Sequence, residues 1–82
     1  MTTPHKLAAE FATVLRNNVT PKEWGLIVEN TNGTSPSCVS HDFIDANECM
    51  VEAIENLGVE YDPADTDLYN AAWSLARAKY FV

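Results

Sequence analysis

Three of the four prolines directly follow a threonine or an aspartate, residue types that cap helices, and these pairs constrain the fold more than any other feature of the chain. Threonine and aspartate side chains accept hydrogen bonds from the free N–H groups of a first helical turn. Proline fits the first helical position because its missing N–H has no partner there in any case. We therefore predict that helices start at the pairs Thr3-Pro4, Thr20-Pro21 and Asp62-Pro63.

Apolar residues at helical spacing follow the first two starts. Leu7, Phe11 and Val14 belong to one stripe that predicts a helix over about residues 4–17, with that stripe facing the core. At the second start Glu23 lies three residues after Thr20, which is the spacing of a capping box.

The segment after the second start has two interpretations. Trp24 and Ile27 supply a short helical face, but Leu26 and Val28 suit a strand equally well. Residues 30–37 are rich in Asn, Gly, Ser, Thr and Pro and are predicted to form a loop. A short β-hairpin around residues 26–39 is therefore the minority alternative to a helix.

Two further helices are predicted in the second half. The third begins near Ser40 or Asp42 and ends at Leu57, with Gly58 in the left-handed position that terminates helices. The fourth begins at Asp62-Pro63 and carries cations in its last turn, where they complement the helix dipole.

These elements predict an all-α fold, a compact bundle of three or four helices in one domain spanning residues 1–82. A chain of 82 residues has room for a single core. Such a core is thin, so a homodimer is compatible with the sequence. Two cysteines without an export signal indicate reduced, buried thiols rather than a disulfide.

Charge is distributed very unevenly. Residues 23–76 contain eleven acidic residues and no Lys or Arg, and the whole chain carries a net charge of −7. A field of one sign repels nucleic acid and anionic membranes and attracts basic surfaces. We therefore expect no direct binding to nucleic acid and no membrane partner.

The acids fall into two groups that we take as candidate partner-binding residues. Along the third predicted helix they recur close to a single line, about 5 Å apart at 1.5 Å per residue, which permits mimicry of nucleic-acid phosphates. That group is Asp42, Asp45, Glu48, Glu52 and Glu55, and the second is Glu60, Asp62, Asp65 and Asp67.

Aromatic residues near the C-terminus are the candidate apolar anchors for a partner. Exposed ion pairs contribute only about 0–1 kcal/mol each, so apolar contacts should supply much of the affinity. Tyr80 and Phe81 are equally compatible with an anchor and with the core, whereas Trp73 fits the core better. Tyr69 is the remaining candidate.

Metal binding and catalysis find little support. Cys38, His41 and Cys49, even with His5, lack the second compact ligand pair of a zinc site. The acids after Asp62 do not match a calcium-binding loop, and neither a catalytic triad nor a glycine-rich phosphate loop is present. We expect no metal, no cofactor and no enzymatic activity.

Several short segments resemble small uncharacterised acidic proteins encoded by bacteriophages. They are Ser40-His41-Asp42-Phe43, Asp45-Ala46-Asn47 with Met50, and Asn70-Ala71-Ala72-Trp73. Proteins of this class often inhibit host defence systems or host nucleic-acid enzymes, as anti-CRISPR proteins do. Together with the two acidic groups, this context predicts a cytoplasmic inhibitor in the host cell that occludes a basic surface of a nucleic-acid-binding protein.

A different class of function remains open. In that alternative the chain is a non-enzymatic homodimeric adaptor or an antitoxin-like module, and its acids only confer solubility. Salt dependence of partner binding separates the two hypotheses, because charge-led docking weakens as ionic strength rises.

Overall fold

The structure is a computed structural model that describes residues 2–30, 40, 41 and 44–81. Four helices make up most of this part of the chain. The fold is therefore all-α, as predicted. The only strands in those residues are two-residue segments, β1 (Ser40–His41) and β2 (Ile44–Asp45), which pair antiparallel. The helices are α1 (Pro4–Asn17), α2 (Pro21–Asn30), α3 (Ala46–Asn56) and α4 (Thr66–Lys79).

Helix α1 lies at the centre of the molecule and packs against both α3 and α4. Its predicted apolar stripe is buried, and Leu7 and Phe11 are completely inaccessible to solvent. Helices α3 and α4 make few direct contacts with each other, since each packs on α1 instead. This arrangement leaves open space between α3 and α4.

An aromatic cluster forms the part of the core next to the C-terminal residues of the chain. The ring of Phe81 meets those of Trp24 and Trp73 edge-on, at centroid distances of 5.1 and 5.5 Å. Phe11 packs against Trp73 at 5.4 Å. Phe81 is only 6% exposed, so its assignment as a partner-binding residue is wrong and it belongs to the core with Trp73.

The first two helix starts are confirmed in atomic detail. The Thr3 side chain accepts a hydrogen bond from the N–H of Lys6 at 3.3 Å. At α2 the capping box is complete, because the Glu23 N–H donates to the Thr20 hydroxyl and the Thr20 N–H donates to the Glu23 carboxylate.

Helix α2 also decides part of the question about residues 26–39. Residues 26–30 are helical, so the first strand of the alternative hairpin is wrong. The capping box anchors the start of this helix, and burial of Trp24 and Ile27 on one face stabilises it beyond what strand propensity offers. The remainder of the proposed hairpin, residues 31–39, lies outside the described residues.

Helix α3 begins later than predicted and ends where predicted. Its first residue is Ala46, and Asp45 caps it by accepting hydrogen bonds from the N–H groups of Asn47 and Glu48. The chain before it is extended in β1 and β2, so the predicted start near residue 40 is wrong. At its other end Gly58 has a φ of +74°, as the sequence predicted.

Two backbone hydrogen bonds complete the end of α3. The N–H of Gly58 donates to the carbonyl of Glu55, and the N–H of Val59 donates to the carbonyl of Ile54. This pair of bonds is the Schellman motif, which satisfies helix carbonyls that would otherwise lack a partner. It fixes the direction in which the chain leaves α3.

Helix α4 begins at Thr66, so the predicted start at Asp62-Pro63 is wrong. Residues 62–65 form a turn instead, in which the Asp62 carbonyl accepts from the Asp65 N–H at 3.0 Å. The Asp62 carboxylate accepts from the N–H of Ala64 at 2.9 Å. Aspartate followed by proline is a favoured start for such a turn as well as for a helix.

Candidate functional site

A row of carboxylates lies along the solvent side of α3. Glu48, Glu52 and Glu55 are exposed and follow one another from the first turn of the helix to its last. With exposed Asp45 they border a shallow depression of about 440 Å³. We call these four residues the acidic face.

The four carboxylates of the acidic face differ in whether they take part in hydrogen bonds that stabilise α3. Asp45 is engaged as the cap of α3, since its carboxylate accepts two backbone hydrogen bonds. Its first role is therefore structural. Asp42, the fifth residue predicted for this group, lies outside the described residues.

The second predicted group of acids is exposed but does not border the same depression. It lies along the connection from α3 to α4 and in the first turn of α4. The Asp62 carboxylate stabilises the turn, and Asp67 lies at the positive end of the α4 dipole. These acids, Glu60, Asp62, Asp65 and Asp67, therefore form a separate set.

A groove of about 480 Å³ opens between α3 and α4, where the two helices diverge. Met50 and Val51 of α3 contribute apolar atoms, and Tyr61 of the connection and Tyr69 of α4 contribute aromatic rings. Glu48 and Val51 line both this groove and the acidic depression, so the two lie side by side on α3. We call this cavity the tyrosine groove.

The two tyrosines form a stacked pair whose position is fixed by the backbone. Their ring centroids are 5.4 Å apart and their planes differ by 16°. The Tyr69 hydroxyl donates to the Asp62 carbonyl at 2.6 Å and accepts from the Asp62 N–H at 3.0 Å. Partial burial is the main reason that the pKa of Tyr69 is raised, so its hydroxyl stays protonated at neutral pH and keeps both bonds.

The tyrosine groove could not be predicted from the sequence. The only signal in the chain was the presence of a tyrosine on either side of the Asp62-Pro63 turn, at positions 61 and 69. That signal becomes interpretable only when the turn, rather than a helix, is known to bring the two rings together.

Cys49 is buried under the acidic face. Desolvation, together with the charges of Glu52, Asp45 and Glu48, raises the pKa of its thiol to about 11. A neutral thiol is a poor nucleophile and a poor metal ligand, so the site offers no thiolate chemistry at neutral pH.

The four candidate metal ligands in the sequence are Cys38, His41, Cys49 and His5. Within residues 2–30, 40, 41 and 44–81, no cluster of three or more potential ligands is present. Cys38 lies outside that part of the chain, and the side chain of His41 is not described. His5 is exposed on α1.

The remaining aromatic candidates are divided between core and surface. Trp73 is buried, as the sequence predicted, whereas Tyr80 is 37% exposed at the end of α4. Tyr80 therefore keeps the exposure that an anchor needs. No helix in the described part of the chain has the length and apolar character required to cross a membrane.

Comparison with known proteins yields no relative: no protein-family model, no curated protein and no solved structure matches this chain.

Proposed function

We propose that the protein acts by binding, and that its acidic face docks on and occludes a basic surface of a nucleic-acid-binding protein. The observation that carries this proposal is the row of exposed carboxylates on α3, which border one depression on a well-capped helix. Charge of one sign on a rigid element steers a basic partner and fixes its orientation.

The surrounding sequence strengthens that field. Residues 23–76 contain no Lys or Arg, so no basic side chain within α3, the connection or most of α4 neutralises it. A surface that only needed solubility would tolerate both signs. The acidic face spans about 15 Å from Asp45 to Glu55 at 1.5 Å per residue, a length comparable to several phosphates of one nucleic-acid strand.

The resemblance to small bacteriophage proteins supplies a biological setting for this activity. An inhibitor of a host defence complex, such as a CRISPR effector, gains from covering the basic channel in which the complex holds nucleic acid. In that setting the protein acts in the host cytoplasm as a mimic of nucleic acid, without catalysis and without a cofactor.

The decisive experiment compares two charge variants in a host-lysate capture assay. The acidic-face variant is Glu52→Lys/Glu55→Lys, because both side chains are exposed and neither caps the helix. The matched control is Glu29→Lys/Asn17→Lys/Ser74→Lys, which changes the net charge equally at exposed positions of α1, α2 and α4. Captured proteins are identified by mass spectrometry after elution with duplex DNA at constant ionic strength.

We expect the native protein and the control variant to capture the same nucleic-acid-binding protein, which DNA releases, and the acidic-face variant to lose it. Purified target should then fail to bind DNA in the presence of the native protein. Equal capture of a protein by both variants, with no release by duplex DNA, would instead identify an adaptor held by apolar contacts and refute occlusion.

A further inference from the structure

We propose that the tyrosine groove binds an arginine side chain of the basic partner, stacked against the Tyr61 ring and paired with Glu48. This inference rests on the proposed function, because it names the residue through which the partner is anchored. It adds a defined recognition point to a surface that otherwise acts by general charge.

The shape and chemistry of the groove suit a long side chain with a flat end. Its apolar atoms come from Met50 and Val51, and the stacked tyrosines supply flat π-faces. A volume of about 480 Å³ lies in the range of pockets that hold small ligands, so a long side chain fits without rearrangement. Tyr61 is 40% exposed, which leaves its ring open to an incoming group.

The groove is already ordered before a partner binds. Both hydrogen bonds of the Tyr69 hydroxyl go to the backbone of Asp62, so displacing this ring would break both of them. Tyr61 stacks on a partner that is already held in place. A binding surface that is ordered before the ligand arrives loses less entropy on binding.

The negative charge at the groove favours a cation over other occupants. Glu48 belongs to both the groove and the acidic face, so a partner drawn to that face reaches the groove with its basic residues. An anionic side chain would be repelled. A purely apolar side chain would match Met50 and Val51 but would leave Glu48 without a partner.

The groove suits arginine better than lysine. A guanidinium is planar, stacks on aromatic rings, loses hydration more readily than an ammonium and directs several N–H groups towards carboxylate and amide oxygens. Asn47 and Asn70 line the groove beside Glu48 and offer such oxygens. The chain already contains a contact of this kind, since the Arg16 guanidinium lies 4.7 Å from the centroid of the Trp24 ring.

The test uses peptides as probes and NMR spectroscopy of the ¹⁵N-labelled full chain. The probes are acetyl-(Gly-Arg)₄-amide, its lysine analogue and its citrulline analogue, which keeps the shape of arginine without the charge. We expect the arginine peptide to shift the amide signals of Tyr61, Tyr69 and Val51, and to bind several-fold more tightly than the lysine peptide. The citrulline peptide should cause no shift.

Two substitutions at one position separate stacking from apolar contact. Tyr61→Phe keeps the ring and should bind the arginine peptide as the native protein does. Tyr61→Leu keeps apolar volume without a π-face and should weaken binding about two- to fivefold, the usual contribution of an exposed cation–π contact. Unchanged binding by Tyr61→Leu would overturn the proposal.

The same titration distinguishes failure of this inference from failure of the proposed function. If both basic peptides shift only signals of the acidic face, lose affinity in Glu52→Lys/Glu55→Lys and leave the groove signals unmoved, the arginine site is wrong and charge-led docking stands. If neither basic peptide shifts any signal of α3, both proposals fall.

Discussion

Gly58 offers a direct test of how the connection that carries Tyr61 is built. Its φ of +74° is costly for any L-residue with a Cβ, by about 1–2 kcal/mol. An added Cβ would meet no atom of the surrounding residues within 4 Å, so the cost of Gly58→Ala comes from the local backbone conformation alone. Alanine also restricts the unfolded chain, which returns about 0.4–1 kcal/mol. We therefore expect Gly58→Ala to lower the free energy of unfolding by about 1 kcal/mol.

Gly25 provides a matched control in the same chain. It lies within α2, its φ is not positive, and an added Cβ there also meets no atom within 4 Å. Alanine is favoured over glycine in a helix by about 0.5–1 kcal/mol, so Gly25→Ala should raise the free energy of unfolding. The same chemical change thus has opposite expected signs at positions 25 and 58.

Urea unfolding followed by circular dichroism measures both variants, and thermal unfolding should show shifts of roughly 4–8 °C per kcal/mol for a chain of this size. A third variant, assembled by chemical ligation at Cys49, replaces Gly58 with D-alanine, for which positive φ is favourable. This variant should be at least as stable as the native protein. If L-alanine at position 58 proves neutral or stabilising, the left-handed turn is not required and the account of this connection is refuted.

Further predictions concern a thiol, a hydroxyl and an aromatic ring. In a variant whose only cysteine is Cys49, a thiol pKa of about 11 instead of 9.0 leaves about 100-fold less thiolate at pH 8. A disulfide reagent should therefore label Cys49 of the folded protein at least about 100-fold more slowly than Cys49 of the protein unfolded in urea. Equal labelling rates would contradict the burial of this thiol. Tyr69→Phe removes both hydrogen bonds to Asp62 and should cost about 1 kcal/mol while accelerating hydrogen exchange of the Asp62 amide; unchanged exchange would show that the hydroxyl does not hold the turn. Phe81→Ala removes a ring that packs on three other rings, so the free energy of unfolding, measured by urea denaturation, should fall by about 3 kcal/mol. A fall below about 0.5 kcal/mol would mean that Phe81 is not part of the core.

Local signals predicted the fold where one short stretch of sequence decides the structure. The capping residues Thr3 and Thr20 act within their own first turn, and Gly58 acts at the last turn of α3. Asp62-Pro63 shows the limit of such signals. The same pair suits a helix start and a turn, and the turn is held here by the hydroxyl of Tyr69, seven residues further along the chain.

The sequence predicts one part of the candidate site, the acidic face, but not the other, the tyrosine groove. Periodicity alone places the carboxylates on one side of α3, because that property belongs to a single helix. The tyrosine groove depends on how two helices diverge on a third, which no local pattern encodes. Phe81 was ambiguous for the same reason, since its burial requires rings from α1, α2 and α4.

The central position of α1 has a consequence for synthesis on the ribosome. Its main partners, α3 and α4, begin about thirty and fifty residues later, so α1 emerges long before the surfaces it must cover. An isolated helix of 14 residues is marginal in water, and contacts between distant segments form late in folding. The nascent chain therefore gains its native core only when α4 has left the exit tunnel, and a fragment that stops before α4 would lack one of the two helices that cover α1.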